Sequence, residues 1–272
     1  MGFAGIDFLG HRVEDGRIFP LKSKIEVLIK YSRPSTIRQL KAFLGLVSYY
    51  RRFIKNCSAI ASPLHRCLER DNINSWDEEC QQAFDFLRNC LTIEIDDMDK
   101  FSSNPDFKNG ILLIPDLKKP FRLETDASEF GAGAVLSQKL QKFHRPVAYW
   151  SKHFKRERKM STPEKELAAL VFALEHFQKY LLGAKFTVLT DHQPLTWLKN
   201  LLNPAPCLTR WLIRIRVFDF DIEFREGKAN GNADALSRWL LEKDVDETEK
   251  VDEDSHLHDF VVNAITLQPN VH

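Results

Sequence analysis

The sequence predicts an α/β domain preceded by a smaller, mostly helical domain. Apolar residues recur at helical spacing through residues 21–91, and strands alternate with helices after residue 116. A strand, helix, strand unit in this alternation implies parallel pairing with a right-handed crossover. With 272 residues, of which 43% are hydrophobic, the chain is long enough to bury more than one core.

The front of the chain is predicted to form a hairpin followed by four helices. Asp15-Gly16 is typical of a tight turn, so residues 1–20 are expected to pair as two strands. Thr36 and Gln39 have the spacing of a capping box, which indicates the start of the second helix. The expected helices begin near Lys22 and Thr36 and then cover Ala59–Arg70 and Asp77–Leu91.

The second helix is predicted to be apolar on one face and basic on the other. Its apolar stripe runs from Ile37 to Tyr50. Residues 1–70 contain thirteen Lys and Arg against five Asp and Glu. A basic face of this kind binds polyanions through counterion release, and ordinary solvated helix faces are the alternative. The basic side chains opposite the stripe are Arg38, Lys41, Arg52 and Lys55.

Two stretches outside the predicted domains have no regular pattern. Residues 92–115 begin as a polar, turn-rich segment without a period, which predicts an irregular insert or linker. Residues 240–272 contain nine Asp and Glu against two Lys and Arg, which predicts an acidic, disordered tail.

Cysteine usage and hydropathy indicate an intracellular protein. The five cysteines are widely spaced and include no C-x-x-C pair, which is typical of reduced thiols. No run of about 18 apolar residues occurs, so we expect no membrane partner. A cytoplasmic or nuclear location fits these features.

Residues 116–239 are predicted to be the α/β domain. A long helix has Thr162 as its N-cap and Pro163 at its first position, and it is expected to end at Gly183. A last helix is expected from about Asn232. The five expected strands are Phe121–Thr125, Gly131–Ser137, Pro146–Ser151, Phe186–Thr190 and Asp221–Arg225.

Four acidic residues fall where a predicted strand ends or a predicted helix begins. They are Asp126, Glu166, Asp191 and Asp234. Carboxylates gathered without Cys or His are hard oxygen ligands, suited to Mg²⁺ or Mn²⁺ rather than zinc. Taken singly, each acid could instead be a turn residue, a helix cap or a partner of a helix dipole. Because the carboxyl ends of parallel strands meet at one edge of a sheet, Asp126 and Asp191 are expected to lie side by side.

Several motifs are specific in their order and spacing. In the second domain they are Thr125-Asp126-Ala127-Ser128, Tyr149-Trp150-Ser151-Lys152, Thr190-Asp191-His192-Gln193 and Asn232-Ala233-Asp234-Ala235-Leu236-Ser237-Arg238. Together they resemble the ribonuclease H (RNase H) domain of Pol polyproteins from Ty3/gypsy-type LTR retrotransposons. The basic helix containing Tyr49-Tyr50-Arg51-Arg52 resembles the reverse transcriptase thumb of the same polyproteins, and Phe8-Leu9-Gly10-His11 resembles the end of the palm.

The resemblance implies an RNase H-like fold, which is a mixed five-stranded sheet flanked by helices, behind a thumb-like domain. In that family four acids bind two Mg²⁺ ions, for which Mn²⁺ can substitute, and the enzyme cleaves the RNA strand of an RNA–DNA hybrid. Glu166 rather than Glu164 is the expected ligand, because it directly precedes a Leu-Ala-Ala run. The implied partners are a hybrid and the remainder of a Pol polyprotein. By motif position, the four acids are Asp126, Glu166, Asp191 and Asp234.

Contacts to the substrate are expected from two sets of side chains. Cutting RNA but not DNA depends on contacts to the 2′-hydroxyl, and the backbone phosphates attract arginine. The candidates for the 2′-hydroxyl are Ser128, Gln138 and Asn232. The candidates for phosphate are Arg210, Arg51 and Arg52.

Two departures from the family limit what is expected of this chain. The loop before Asp234 lacks the His that in cellular RNases H is thought to help proton transfer. His192 beside Asp191 is a candidate for that role, and a structural role for a His beside a strand end is the favoured alternative. No Tyr-x-Asp-Asp motif occurs, so no polymerase activity is expected from this chain alone. The competing interpretation is a catalytically inactive or domesticated remnant that only binds nucleic acid. The presence of all four acids favours the nuclease.

Overall fold

The computed structural model describes residues 5–69, 73–91, 110–128, 131–154, 156–191 and 206–225. Two sheets and two hydrophobic cores organise this part of the chain. The predicted tail over 240–272, the predicted last helix from Asn232 and most of the predicted linker lie outside the described residues.

The first sheet is antiparallel and has the order β1-β2-β3-β4. Its first three strands form a meander with two tight turns, Leu9-Gly10 and Asp15-Gly16, and all four turn residues have positive φ. The single predicted hairpin is therefore corrected to two hairpins. The fourth strand lies inside the stretch predicted as linker, so the end of that stretch is ordered against the meander. The strands are β1 Ile6–Phe8, β2 His11–Glu14, β3 Arg17–Pro20 and β4 Leu112–Leu113.

Four helices follow the meander and confirm the predicted helical region. Thr36 caps the second helix by accepting a hydrogen bond from the backbone N–H of Gln39. Asp77 caps the fourth helix in the same way, through the N–H of Cys80. The helices are α1 Lys22–Ile29, α2 Ile37–Tyr49, α3 Cys57–Glu69 and α4 Glu78–Asn89, and a 3₁₀ turn covers Arg51–Phe53.

The apolar stripes of these helices meet in one core. Leu40, Phe43, Leu64 and Phe84 are buried there, and the rings of Phe43 and Phe84 lie 4.7 Å apart. Burying such side chains stabilises the fold by roughly 1.5–3 kcal/mol each. The core also takes in Tyr149 from the second sheet, so it is shared between the two parts of the chain.

The second sheet is mixed and has the order β7-β6-β5-β8-β9. The first three strands along the chain are antiparallel, and the parallel pairs are β5 with β8 and β8 with β9. This confirms the predicted five strands and the predicted parallel crossover, although all five strands are longer than predicted. The strands are β5 Phe121–Ala127, β6 Gly131–Leu140, β7 Phe143–His153, β8 Lys185–Thr190 and β9 Asp219–Phe224.

The crossover helix differs at both ends from the prediction. Ser161, not Thr162, is the N-cap, because its backbone N–H and its hydroxyl both donate to the carboxylate of Glu164. The helix ends before Phe177, and a short helix precedes Gly183. The helices of this region are α5 Thr162–His176, α6 Gln178–Leu181 and α7 Pro206–Ile215.

A seam of hydrogen bonds joins the start of α3 to the edge strand β7. The backbone N–H of Ser58 donates to Ser151 Oγ at 2.9 Å, and the Ser58 hydroxyl donates to the Ser151 carbonyl at 3.0 Å. Arg51 Nη2 donates to the same carbonyl at 2.8 Å. The seam therefore fixes the helical region against the second sheet.

Candidate metal centre

Three of the four predicted acids meet at one edge of the second sheet. Asp126 is the penultimate residue of β5, and Asp191 directly follows β8, the parallel neighbour of β5. Glu166 reaches the same place from the first turns of α5. One carboxylate oxygen from each of the three lies within 4.8 Å of the other two. The predicted convergence of Asp126 and Asp191 is therefore observed, and Asp234 lies outside the described residues.

The two glutamates of α5 have different environments. Glu164 accepts hydrogen bonds from the N–H and the hydroxyl of Ser161, at 2.9 and 2.7 Å, and so caps the helix. Glu166 is buried, with 5% of its surface exposed, and lies beside Asp126 and Asp191. Glu166, and not Glu164, therefore lies in the group of acids, and its role as a ligand stays a prediction.

The charge of Glu166 is costly without a cation. Burial raises the pKa of Glu166 to about 8, with further contributions from Asp126 and Asp191, while a backbone hydrogen bond from Ala127 opposes the rise. Among the described residues, nothing hydrogen-bonds its buried Oε2 atom. A buried carboxylate oxygen with no donor, beside two exposed carboxylates, is what a divalent cation would satisfy.

The donor set also fits the kind of metal that was predicted. Asp126 and Asp191 are exposed, whereas Glu166 is buried, so solvent and a substrate phosphate can reach the site. All three ligands are carboxylates, which favour Mg²⁺ or Mn²⁺ over softer metals. Three carboxylates leave coordination positions for water or phosphate oxygens.

The structure places Ser128 near the acids and Gln138 far from them. Ser128 closes the turn between β5 and β6, where its hydroxyl accepts from the N–H of Gly131 at 3.1 Å. Gln138 pairs with Phe121 at the opposite end of β5, about 17 Å from Asp126 along the strand. Its buried amide bonds the backbone of Asp116 and Lys119. The expectation that Gln138 lies near the acids is therefore corrected, since it anchors a loop instead.

The three predicted arginine contacts lie in two places. Arg51 belongs to the seam, and Arg52 hydrogen-bonds Tyr180 and lies over the ring of Phe53. Both arginines therefore hold the two parts of the chain together. Arg210 is exposed on α7. Asn232 and His192 lie outside the described residues.

Sequence reasoning missed one residue beside the acids. Asn56, just before α3, presses its side chain against Gly133 of β6, the strand position paired with Asp126. A glycine inside a strand often marks a place where another group approaches closely. Gly133 lies inside a predicted strand and therefore indicated such an approach. The identity of the approaching group could not be read from the sequence.

Comparison with known proteins identifies the second part of the chain. Residues 116–218 match the RNase H-like domain found in reverse transcriptase. The second part has an RNase H-like fold. A solved structure of the foamy viral protease-reverse transcriptase with an RNA/DNA hybrid superposes with a TM-score of 0.63 over 92% of this chain and 32% of that chain, at 19% identity. This likeness confirms the predicted fold, including the helical region in front of the RNase H-like domain.

The whole chain is similar to part of retrotransposon Pol polyproteins. It is 38% identical over 239 residues to the Pol polyprotein from transposon 297 of Drosophila melanogaster, covering 87% of this chain and 21% of that protein. It is 34% identical over 270 residues to the Tf2-3 polyprotein of Schizosaccharomyces pombe, covering 96% of this chain and 19% of that protein. The resemblance to retrotransposon Pol is therefore confirmed, and the Ty3/gypsy type stays a prediction.

The chain spans about a fifth of the length of these polyproteins. No described helix is both long enough and apolar enough to cross a bilayer. The relatives are thus several times longer than the part of them that this chain matches.

Proposed function

We propose that the RNase H-like domain is a metal-dependent nuclease that hydrolyses the RNA strand of RNA–DNA hybrids. The convergence of Asp126, Glu166 and Asp191 carries this proposal, because one oxygen from each carboxylate lies within 4.8 Å of the other two and the buried Glu166 has an oxygen that no described donor satisfies. The similarity to retrotransposon Pol polyproteins and to a reverse transcriptase solved with a hybrid supports the choice of substrate.

Each acid has a distinct task in this proposal. Asp126 and Asp191 face solvent and would hold the cations from two neighbouring strand ends. Glu166 would bind from the buried side, where the N–H of Ala127 helps to orient its carboxylate. Divalent ions bound there supply a nucleophile from water at neutral pH and stabilise the charge on the leaving oxygen. Asp234 is proposed as the fourth ligand.

The basic residues are proposed to hold the hybrid. Arg38 and Lys41 are exposed on α2, and Arg210 is exposed on α7. Their cations would bind the phosphate backbone and release counterions. Arg51 and Arg52 already bond within the protein, so any phosphate contact is left to their remaining donors.

Cleavage of a labelled hybrid in Mg²⁺ tests the proposal. The wild-type chain is expected to cut the RNA strand, and Asp126→Asn and Asp191→Asn are expected to lose at least about a hundredfold in rate. Both variants should still bind the hybrid, because the basic residues remain. Asp221→Asn, which removes an exposed acid on β9, is the matched control and should cut as wild type does.

The outcomes separate the nuclease from the competing interpretation. Cutting that is lost in Asp126→Asn and Asp191→Asn but kept in Asp221→Asn supports a metal-dependent nuclease. Binding by every variant with no cutting by any of them supports a remnant that only binds nucleic acid. No primer extension is expected from this chain.

A further inference from the structure

The strand register places one row of residues across the second sheet beside the acids. Asp126 on β5 pairs with Gly133 on β6, and Gly133 pairs with Ser151 on β7. Directly opposed residues on antiparallel strands project to the same face, with Cβ atoms about 5 Å apart. The face of the sheet that carries the Asp126 side chain therefore continues over Gly133 to Ser151.

The helical region packs against this row at Ser151, on the edge strand β7, and at Gly133. Ser58 bonds Ser151, and two residues earlier the Asn56 side chain lies over Gly133. A Cβ atom built on Gly133 would clash with Asn56 Oδ1, so the absence of a side chain at Gly133 makes room for the amide. The Asn56 side chain, which belongs to the helical region, consequently lies over the strand position that pairs with Asp126.

The Asn56 amide retains hydrogen-bonding capacity. The residue is half-buried, and no hydrogen bond to its side chain is found among the residues that the structure describes. Its backbone carbonyl accepts from Ile60 at 3.1 Å, which fixes the residue at the start of α3. The backbone of Asn56 is therefore held in place, its amide oxygen packs against Gly133, and its amide nitrogen can donate to a ligand.

We propose that Asn56 binds the sugar–phosphate backbone of the hybrid next to the phosphate that is cut. The inference rests on the proposed nuclease function and extends the substrate surface from the RNase H-like domain to the helical region. An amide can donate to a phosphate oxygen and can also exchange hydrogen bonds with a 2′-hydroxyl. Because it is neutral, it brings no repulsion to a phosphate held beside three carboxylates.

The backbone conformation at position 56 offers another explanation for the asparagine there. An experiment must therefore distinguish an effect of the backbone conformation from an effect of the amide. Its φ is 55°, in the left-handed region that favours glycine and asparagine. Asn56→Gly keeps this conformation accessible and removes only the amide. Gln141→Gly is the matched control, since Gln141 also carries an amide at positive φ, 54°. It lies in the turn between β6 and β7, roughly 25 Å along the strands from Gly133.

The experiment uses the full chain and three measurements. These are hybrid cleavage in Mg²⁺, hybrid affinity in EDTA by fluorescence anisotropy, and the melting temperature. Asn56→Gly is expected to lower kcat/KM and hybrid affinity about tenfold each, the effect of one lost hydrogen bond to a charged group. The melting temperature should stay at the wild-type value, and Gln141→Gly should match wild type throughout.

Each result supports or overturns the inference. Wild-type cleavage and affinity in Asn56→Gly would overturn it and leave the nuclease proposal standing. If wild type does not cut, the nuclease proposal fails, and equal affinity of wild type and Asn56→Gly then overturns the contact as well. Should glycine lower the melting temperature, Asn56→Asp supplies the comparison, because it keeps the size and tolerates the conformation. Unchanged hybrid affinity in Asn56→Asp overturns the contact.

Discussion

The surroundings of Glu166 destabilise its negative charge when no cation is bound. Its burial and its two acidic neighbours make the carboxylate charge unfavourable, whereas the same features make it a strong ligand. Glu166→Gln removes the charge and keeps the shape. In EDTA we expect this variant to melt about 2–4 °C above wild type, the shift that 1 kcal/mol produces in a domain of this size. The rise in melting temperature on adding Mg²⁺ should be lost, because the variant lacks a ligand.

Glu164→Gln is the natural control, since it lies two residues away on the same helix. Glutamine keeps a side-chain oxygen that can accept from the N–H and the hydroxyl of Ser161, so the cap is retained and the melting temperature should stay close to the wild-type value. Its response to Mg²⁺ should equal that of wild type. A lower melting temperature in EDTA for Glu166→Gln, or an undiminished Mg²⁺ response, would count against the metal site.

At single residues, the sequence predicts a position correctly where that position depends only on the neighbouring sequence pattern. The pattern of parallel strands places Asp126 and Asp191 side by side, whereas the choice of Glu166 came from the resemblance to the family. Gln138 was misplaced because its position depends on the register of β6 against β5, which no local pattern encodes. Asn56 was missed because it meets Gly133 only after distant segments of the chain have packed.

At the scale of secondary structure, long periodic elements were predicted and short ones were not. Helix α2 begins after its predicted cap, Thr36, and helix α4 begins after Asp77, where the predicted range starts. The turn at Leu9-Gly10 was missed because leucine seldom adopts a positive φ. Strand β4 has only two residues, too few to show alternation, and it exists because β3 offers an edge to pair with.

The basic face of α2 leads to a prediction about salt. Arg38 and Lys41 are one turn apart and exposed, so both can reach the same stretch of backbone. Replacing both by glutamine should reduce the slope of log affinity against log salt by about two, since each phosphate contact contributes about 0.9. Hybrid binding measured by anisotropy over a range of KCl concentrations checks this.

A charge-matched pair gives the control for that experiment. Lys139 and Lys142 are exposed at the far end of the β6–β7 hairpin, away from the acids. Their double glutamine variant should keep the wild-type slope. Equal slopes for the α2 variant and wild type would remove this helix face from the binding surface.

At the scale of the whole molecule, the two parts of the chain share a core. Tyr149 lies on β7 but is buried among the helices, and Val135 of β6 packs against the same cluster. Hydrogen bonds from Arg51 and Ser58 to Ser151 close the seam around this contact. Separating the two parts would expose apolar surface and leave these polar groups to water.

This shared core predicts that the two parts unfold together. Leu64→Ala in the helical core should destabilise the chain by about 2–5 kcal/mol, and Leu174→Ala in the RNase H-like core should do the same. Hydrogen exchange at increasing denaturant should then show the amides of α3 and α5 losing protection at one common midpoint in each variant. If Leu64→Ala lowered the denaturant midpoint for the amides of α3 but not for those of α5, the seam would be too weak to couple the unfolding of the two parts of the chain. In that case Asn56 would not be held reliably beside Asp126, because its position depends on the same seam.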